Sequence, residues 1–419
     1  MFALVDCNNF YASCERVFQP QFRNTPIAIL SNNDGCVIAR SDEAKNLGLP
    51  MGAPAFKYKQ FFKEHNIKVF SSNYPLYGDM SSRVMSILRQ FSPDVEVYSI
   101  DEAFLALNVI ENESLNKLGH KIRNRILQWT GLPTCVGIAP TKALTKIANK
   151  IARKFPKETG GIFVIDSNEK RIKALKWTKI KDVWGIGSQL QKRLIQQNIQ
   201  TAYDFTQLSD AWVKNNFSIT ELNLKKDLEG TITLSLEDDH PVKKSIATTR
   251  SFENTYTDVK DIKERIATFA NSCAEKLRKQ NSNCNILLVL LQGSRFEETS
   301  QPYKNSVTIV LPHSTNSTLT IVKHATKAID TLYKKGIKYK RAGVIVTGLV
   351  PTDNHQLDMF AQENPKHQPL MKVIDNLNNK YGDQKLKLAN QDLGKTWKMR
   401  QDHLSKQYTT QFNEILIIK

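Results

Sequence analysis

The sequence predicts a multidomain α+β protein, and three observations predict it. Two separate stretches carry the same order of elements, β-α-β-β-α-β; a helical stretch and a polar linker lie between them; and 419 residues exceed what one core encloses, fitting three or four units of ordinary size. The first order opens with a short apolar strand over residues 2–7 and a helix over residues 10–18, with apolar residues at 10, 14, 17 and 18. Val95, Val97 and Ser99 then alternate with polar residues, and Ala103, Phe104, Leu105 and Leu107 follow, as in a hairpin with Asp101 and Glu102 at its tip. Helical periodicity over residues 115–129, a strand over 134–139 and a helix from Thr141 complete the set, with residues 20–75 as an insertion.

On the helix after Thr141, Lys142, Lys146, Lys150 and Arg153 recur at nearly one-turn spacing opposite the stripe Leu144, Ile147, Ala148 and Ile151. Such a basic face is ordinarily a solvated one; directly after a strand of the first sheet, it points to phosphate binding. Farther on, Val183-Trp184-Gly185-Ile186-Gly187 precedes a helical stretch through Leu190, Leu194 and Ile195. Gly185 and Gly187 allow backbone amides to approach a phosphate at a helix N-terminus, as helix-hairpin-helix modules do, although an ordinary turn uses the same residues. Residues 237–244, EDDHPVKK, form the linker. The second order comprises strands over 245–251, 286–291, 306–311 and 342–350 and helices over 258–280 and 319–334. It carries no buried acidic cluster and reads as a binding module, with Lys334, Lys335, Lys338, Lys340 and Arg341 supplying charge. Beyond Pro351 the composition turns to Asn, Gln and Lys, which predicts a partly disordered interaction tail.

Asp6, Asp101 and Glu102 stand in sequence that otherwise reads as buried strand. A carboxylate there costs several kcal/mol of desolvation, on the order of 3–5, unless positive charge sits beside it. Three such groups brought together would make an oxygen-lined site for hard divalent cations and the phosphates they carry, which is the requirement of two-metal phosphoryl chemistry.

Charge supports a polyanionic partner. Lys and Arg number 59 against 41 Asp and Glu, a net charge of +18, and the excess lies in residues 101–200 (18 basic, 8 acidic) and 301–419 (18 and 9), with near balance elsewhere. Two basic regions separated by neutral sequence suit two surfaces gripping one nucleic acid. The six cysteines form no C-x-x-C pair and the eight histidines show no ligand spacing, which argues against a zinc site and a disulfide framework. The N-terminal apolar run lacks a basic leader and no later run approaches membrane-spanning length, so a cytoplasmic, nucleoid-associated protein is expected.

The motifs carrying these residues resemble those of the Y-family translesion DNA polymerases. Asp6-Cys7-Asn8-Asn9-Phe10-Tyr11-Ala12-Ser13-Cys14-Glu15 resembles the family's first metal motif and Tyr98-Ser99-Ile100-Asp101-Glu102-Ala103-Phe104 its second. Ser31-Asn32-Asn33-Asp34-Gly35-Cys36-Val37-Ile38-Ala39-Arg40, Trp397-Lys398-Met399-Arg400 and Tyr408-Thr409-Thr410 are similar to segments of its longer bacterial branch, while Ser405-Lys406 departs from the usual Ser-Pro of that branch's tail.

The resemblance covers nearly the whole chain and implies a right-hand polymerase. Its palm would span 1–19 and 76–165, fingers 20–75, a helical thumb 166–236, a linker 237–244, a little finger 245–350 and an interaction tail 351–419. It implies error-prone, DNA-templated synthesis from dNTPs past lesions in the SOS response, without proofreading. Asp6 and Asp101 would bridge two Mg²⁺ ions, Glu102 would complete the primer-side ion, and the Cys7 carbonyl would help hold the nucleotide-side ion. Tyr11 would be the steric gate against ribonucleotides; Phe10, Lys45 and either Arg153 or Lys154 would contact the nucleotide; Lys142, Lys146, Gly185 and Gly187 would contact DNA. Gln356-Leu357-Asp358-Met359-Phe360 resembles the peptide with which bacterial polymerases dock on the sliding clamp through Gln356, Leu357, Met359 and Phe360. A UmuD′ dimer and RecA are the further partners implied. Two other readings use the same palm, a noncatalytic DNA- and clamp-binding scaffold and a nucleotide cyclase; the intact acids argue against the first, and the Gly185–Gly187 turn with two basic regions is superfluous to the second.

Overall fold

The structure is a computed structural model that describes residues 1–419 except 108–113, 238–241, 295–302, 353–363, 383–384, 393–398 and 418–419. The chain divides into two compact units, Met1–His240 with Gln401–Lys419, and Pro241–Arg400.

In the first unit the order is β1 (Phe2–Cys7), α1 (Phe10–Phe18), β2 (Ile27–Leu30), β3 (Val37–Arg40), α2 (Asp42–Asn46), α3 (Lys59–Glu64), β4 (Lys68–Ser71), α4 (Tyr74–Leu88), β5 (Val95–Val97), β6 (Glu102–Ala106), α5 (Leu115–Thr130), β7 (Thr134–Ala139), α6 (Lys142–Lys154), α7 (Pro156–Thr159) and β8 (Ile162–Val164). Five helices follow: α8 (Asn168–Trp177), α9 (Ser188–Gln196), α10 (Ala202–Thr206), α11 (Asp210–Asn216) and α12 (Ile219–Glu229). The main sheet runs β5-β6-β1-β7-β8, and a small second sheet, β3-β2-β4, occupies the 20–75 insertion.

β1 is central because Phe2–Val5 is an uninterrupted apolar run covered on both faces, the pattern of a strand with neighbours on each side. It pairs antiparallel with β6 and β7, so that Asp6 lies opposite Glu102 on one side and Cys135 on the other. β8, parallel to β7, extends the sheet beyond the expected four strands; three residues are too few to show periodicity.

The position of α6 over β1 and β7 is fixed by a glycine. A Cβ on Gly137 would stand 2.2 Å from the Asn149 backbone nitrogen and 2.4 Å from the Thr145 carbonyl oxygen, so only glycine lets the helix backbone rest on the strand. Asn149 seals the contact, its amide donating to the Cys135 (2.9 Å) and Leu4 (3.3 Å) carbonyls. The basic face of α6 is thereby held beside Asp6.

The second unit has β9 (Ser245–Tyr256), α13 (Val259–Lys279), β10 (Ser282–Gly293), β11 (Lys304–Thr315), α14 (Thr318–Leu332), β12 (Tyr339–Pro351) and α15 (His367–Tyr381). Its antiparallel sheet runs β11-β10-β12-β9, with α13 and α14 packed on its core face around Leu287, Val289, Ala325 and Val344. The strands are 12 or 13 residues long, longer than the sequence predicts. Apolar runs mark only the helix-covered middle, while backbone pairing continues into the polar ends.

The described residues of the expected interaction tail carry ordered structure. α15 is anchored by buried Met371 and by a two-pronged Arg278–Asp375 ion pair at 2.6 and 2.7 Å, and residues from Gln401 belong to the first unit. A few well-placed anchors order a segment whose overall composition is polar. Among the described residues no helix is long and apolar enough to cross a membrane.

Candidate active site

The three acids meet where β1 ends and β6 begins. Glu102 is the first residue of β6, in register with Asp6, and Asp101 immediately precedes it, its carbonyl accepting from the Cys7 N–H at 2.9 Å. Ser99 shapes the hairpin tip: its hydroxyl donates to Asp101 Oδ1 at 2.6 Å and accepts from the Asp101 and Glu102 backbone N–H groups at 3.3 and 3.2 Å. That turn overcomes the alternation which would send neighbouring side chains to opposite faces. The Asp6 carboxyl is pushed up to about 7, chiefly by burial, with Asp101 and Glu102 adding repulsion and Arg153 acting in opposition. Burial, Asp6 and Asp101 also raise the Cys7 thiol, which stays neutral.

The basic face of α6 is spent on these and neighbouring acids. Lys146 donates to Glu102 at 2.7 Å and Arg153 approaches Asp6 at 3.5 Å; Lys150 pairs with Asp182 at 2.8 Å, and Lys142 with Glu96. The expectation that Lys142 contacts DNA is therefore corrected. Its side chain is 4% exposed and its charge is committed to Glu96, which also accepts from the Glu237 N–H at 2.8 Å. Lys146 is likewise engaged, lying over the Tyr98 ring at 4.2 Å and near Phe104 and Trp184 at 5.5 and 5.7 Å. Its amphipathic spacing signalled a charged face; it could not say that the charges turn inward.

Arg153 and Lys45 converge on Asn9. The Arg153 guanidinium donates to Asn9 Oδ1 at 2.7 Å and the Lys45 ammonium donates to the same oxygen while pairing with Asp42 at 2.9 Å. Of the two alternatives, Arg153 is the one beside the acids, whereas Lys154 is exposed. Asn9 itself escaped sequence reasoning. It occupies the left-handed region at φ 51° in the turn between β1 and α1, a conformation asparagine tolerates better than most residues, and that was the available signal.

Phe10 and Tyr11 divide their work differently from expectation. Phe10 is buried in the core with 3% exposure, so its ring backs Tyr11 at 5.7 Å instead of reaching toward a nucleotide. Tyr11 is half-buried, stacked on Tyr77 at 4.5 Å and set edge-on to Tyr74 at 6.2 Å. Its hydroxyl is pushed up to about 12 by burial, with Tyr74 and Asp101 contributing, so it lies within the field of the acids and stays protonated. Tyr77 and Glu15, also missed in the sequence, support the stack: the Tyr77 hydroxyl donates to Glu15 Oε1 at 2.7 Å. An acid on the buried side of α1, one turn after Tyr11, was the clue.

Gly185 requires its residue type, at φ 88°, whereas Gly187 has ordinary extended backbone and opens α9 without a side-chain cap. The clamp-like peptide, Gln356 to Phe360, lies outside the described residues.

The donor set fits hard divalent cations. All three side chains offer carboxyl oxygen, and burial, with lesser repulsion from Asp101 and Glu102, raises the Asp6 carboxyl, an environment that a cation would relieve. Among the described residues no three His, Cys, Asp or Glu side chains are drawn into a finished cage; Glu102 and Asp6 each face a basic partner instead.

Sequence models of the impB/mucB/samB family match residues 5–150, and of that family's C-terminal domain residues 243–359; a domain of unknown function matches residues 368–418. Protein UmuC of Salmonella typhimurium strain LT2 is 38% identical over the full length of both chains. Protein ImpB of Salmonella typhimurium is 39% identical over 99% of both, and protein MucB of Escherichia coli 34% identical over 100% of this chain and 99% of its own. A solved Y-family DNA polymerase chimera of Dbh and Dpo4, 24% identical, covers 84% of this chain and all of its own with a TM-score of 0.68, a likeness of fold. With full-length relatives well above 30% identity and two domain matches in the expected order, the chain belongs to the impB/mucB/samB family of error-prone, Y-family translesion DNA polymerases.

Proposed function

We propose that this site transfers a nucleotidyl group from a dNTP to a primer 3′-hydroxyl, with Asp6, Asp101, Glu102 and the Cys7 carbonyl holding two Mg²⁺ ions. Membership of the family implies divalent-metal dependence; the identity and number of ions are part of the proposal. The observation that carries it is the register of Asp6 with Glu102, with Asp101 tied to the end of the same strand through the Cys7 N–H. When bound, the metal lowers the pKa of the attacking hydroxyl and neutralises charge on the leaving pyrophosphate.

The chain's own groups position the reactants. Lys45 and Arg153 are ready to exchange Asn9 for triphosphate oxygens, which as anions make stronger charge-assisted bonds than a neutral amide oxygen. Tyr11 presents its half-buried ring as the gate that excludes a ribose 2′-hydroxyl. The sheet and helices of the first unit supply palm (1–19 and 76–165), fingers (20–75) and thumb (166–236), the second unit the little finger (245–350), with Gly185 and Gly187 at the thumb's DNA backbone contact. Templated, Mg²⁺-dependent primer extension past an abasic site, with partners supplied, tests the reading. No extension would favour the scaffold, and a cyclic product from nucleotide alone the cyclase.

Recruitment completes the reading. Gln356, Leu357, Met359 and Phe360 dock on the sliding clamp, and a UmuD′ dimer and RecA bind the chain during SOS synthesis at the nucleoid. Clamp pull-down after Leu357→Ala and Phe360→Ala checks the first point; undiminished capture removes it.

A further inference from the structure

The segment after Gln401 lies along the back of the gate. His403 is tied to the end of β4, accepting from the Ser71 N–H through its carbonyl at 3.0 Å and donating its own N–H to Ser71 Oγ at 3.0 Å. Gln401 donates to the Ser72 carbonyl at 2.9 Å. Next, the buried Asn73 amide donates to Ser405 Oγ at 2.9 Å and to the Ser405 and Lys406 carbonyls at 3.2 and 3.1 Å. Asn73 is also the N-cap of α4, accepting from the Leu76 N–H, and α4 carries Tyr74 and Tyr77.

Ser405 then reaches α1. Its hydroxyl donates to Glu15 Oε1 at 2.9 Å, the oxygen that Tyr77 also holds, and three residues on Tyr408 stacks on Phe18 at 4.9 Å with the rings 6° apart. Tyr11, Glu15 and Phe18 are spaced four and three residues apart and form one face of α1. One short segment thus grips both helices that hold the Tyr11–Tyr77 stack, α1 through Glu15 and Phe18, α4 through Asn73.

We propose that Ser405 is a positioning residue for sugar selection: by fixing Glu15 and Asn73 it holds Tyr77 under Tyr11, and so sets how closely the gate approaches the incoming nucleotide. The inference rests on the gate reading of Tyr11 above. It gives a role to part of the segment whose matching domain has no known function. Without the Ser405 hydroxyl Tyr77 keeps its bond to Glu15 and Asn73 keeps its bonds to the Ser405 and Lys406 carbonyls, but the carboxylate and the cap residue each lose one partner, and both can shift. A stacked ring follows such shifts directly, because the stack has no covalent restraint of its own.

The test is single-nucleotide insertion by the full-length chain, comparing kcat/KM for a matched deoxynucleotide and its ribonucleotide in wild type, Ser405→Ala, Ser405→Thr and Tyr11→Ala. Loss of the hydroxyl, with its bonds to Glu15 and from Asn73, predicts a ~5-fold fall in sugar discrimination in Ser405→Ala, with deoxynucleotide kcat within about twofold of wild type, and recovery in Ser405→Thr, which keeps a hydroxyl there. An altered ratio in Tyr11→Ala with a wild-type ratio in Ser405→Ala overturns this inference alone. Equal loss of efficiency for both nucleotides in Ser405→Ala overturns it as well, since a merely structural contact would act that way. An unchanged ratio in Tyr11→Ala overturns the gate reading and this inference with it.

Discussion

Gly137 lies directly under the backbone of Asn149, close enough that any Cβ at position 137 would overlap it at 2.2 Å. The atoms it would strike belong to a helix backbone, not to a side chain that could swing aside. Gly137→Ala must therefore lift α6, and with it Lys146 and Arg153, away from the acids. A stability loss of about 2–4 kcal/mol is expected, together with a larger loss of extension activity than melting alone explains. Denaturant unfolding and primer extension on the same preparation check this; wild-type values for both would mean that α6 does not rest on the strand.

Lys142 is a structural ion pair in this protein. Removing it leaves the Glu96 carboxylate buried without its cation, so Lys142→Met should cost about 3–5 kcal/mol, much of it recovered when Glu96→Leu is added. DNA affinity measured against salt separates this from phosphate binding. The slope of log K against log salt should be unchanged, whereas a decrease of about one unit would return Lys142 to the DNA surface.

Arg153 and Lys154, adjacent in sequence, should part company in kinetics. Arg153→Ala removes a charge-assisted contact with the triphosphate and should raise KM for dNTP ~10- to 100-fold, while Lys154→Ala leaves it within about threefold. Steady-state insertion kinetics decide the matter, and the reverse ranking would place Lys154 at the nucleotide.

Glu15 gives the fold a pH dependence. Burial pushes its carboxyl up to about 7, against the hydrogen bonds from Tyr77, Ser405 and Gln19 that favour the ionised form. Between its ordinary value of 4.5 and about 7 the folded chain holds a proton that the unfolded chain has released, so stability falls as pH rises through this window. The contribution is fully present below about 4.5 and lost above about 7, at a slope of at most ~1.4 kcal/mol per pH unit. Glu15→Gln removes the group. The stability difference between wild type and variant, from melting at pH 5 and pH 8, should shift against wild type at the higher pH; a constant difference would mean that Glu15 does not titrate in this window.

Much of the catalytic unit was legible because its signals are local. Apolar runs gave β1, β6 and β7, and an acid embedded in such a run announces itself through its desolvation cost. Relationships between distant segments were not legible. Amphipathic spacing put Lys142 and Lys146 on a charged face without revealing that Glu96 and Glu102 would come to meet them. Phe10 looked available beside Tyr11, but the core of the sheet claims it. Glu15 stood within a recognised motif, yet its partners Tyr77 and Ser405 lie 62 and 390 residues away. The polar tail hid its anchors for the same reason, since Arg278 and Asn73 are supplied by other parts of the chain.

The most direct test of the acidic site is single-turnover extension of a primer-template by Asp101→Ala, with DNA affinity measured on the same protein. Loss of a metal ligand removes stabilisation that exists only in the transition state, so the expected result is a fall in rate of at least ~10³-fold with primer-template affinity within about threefold of wild type. Extension within about tenfold of wild type would contradict a metal-holding role for Asp101.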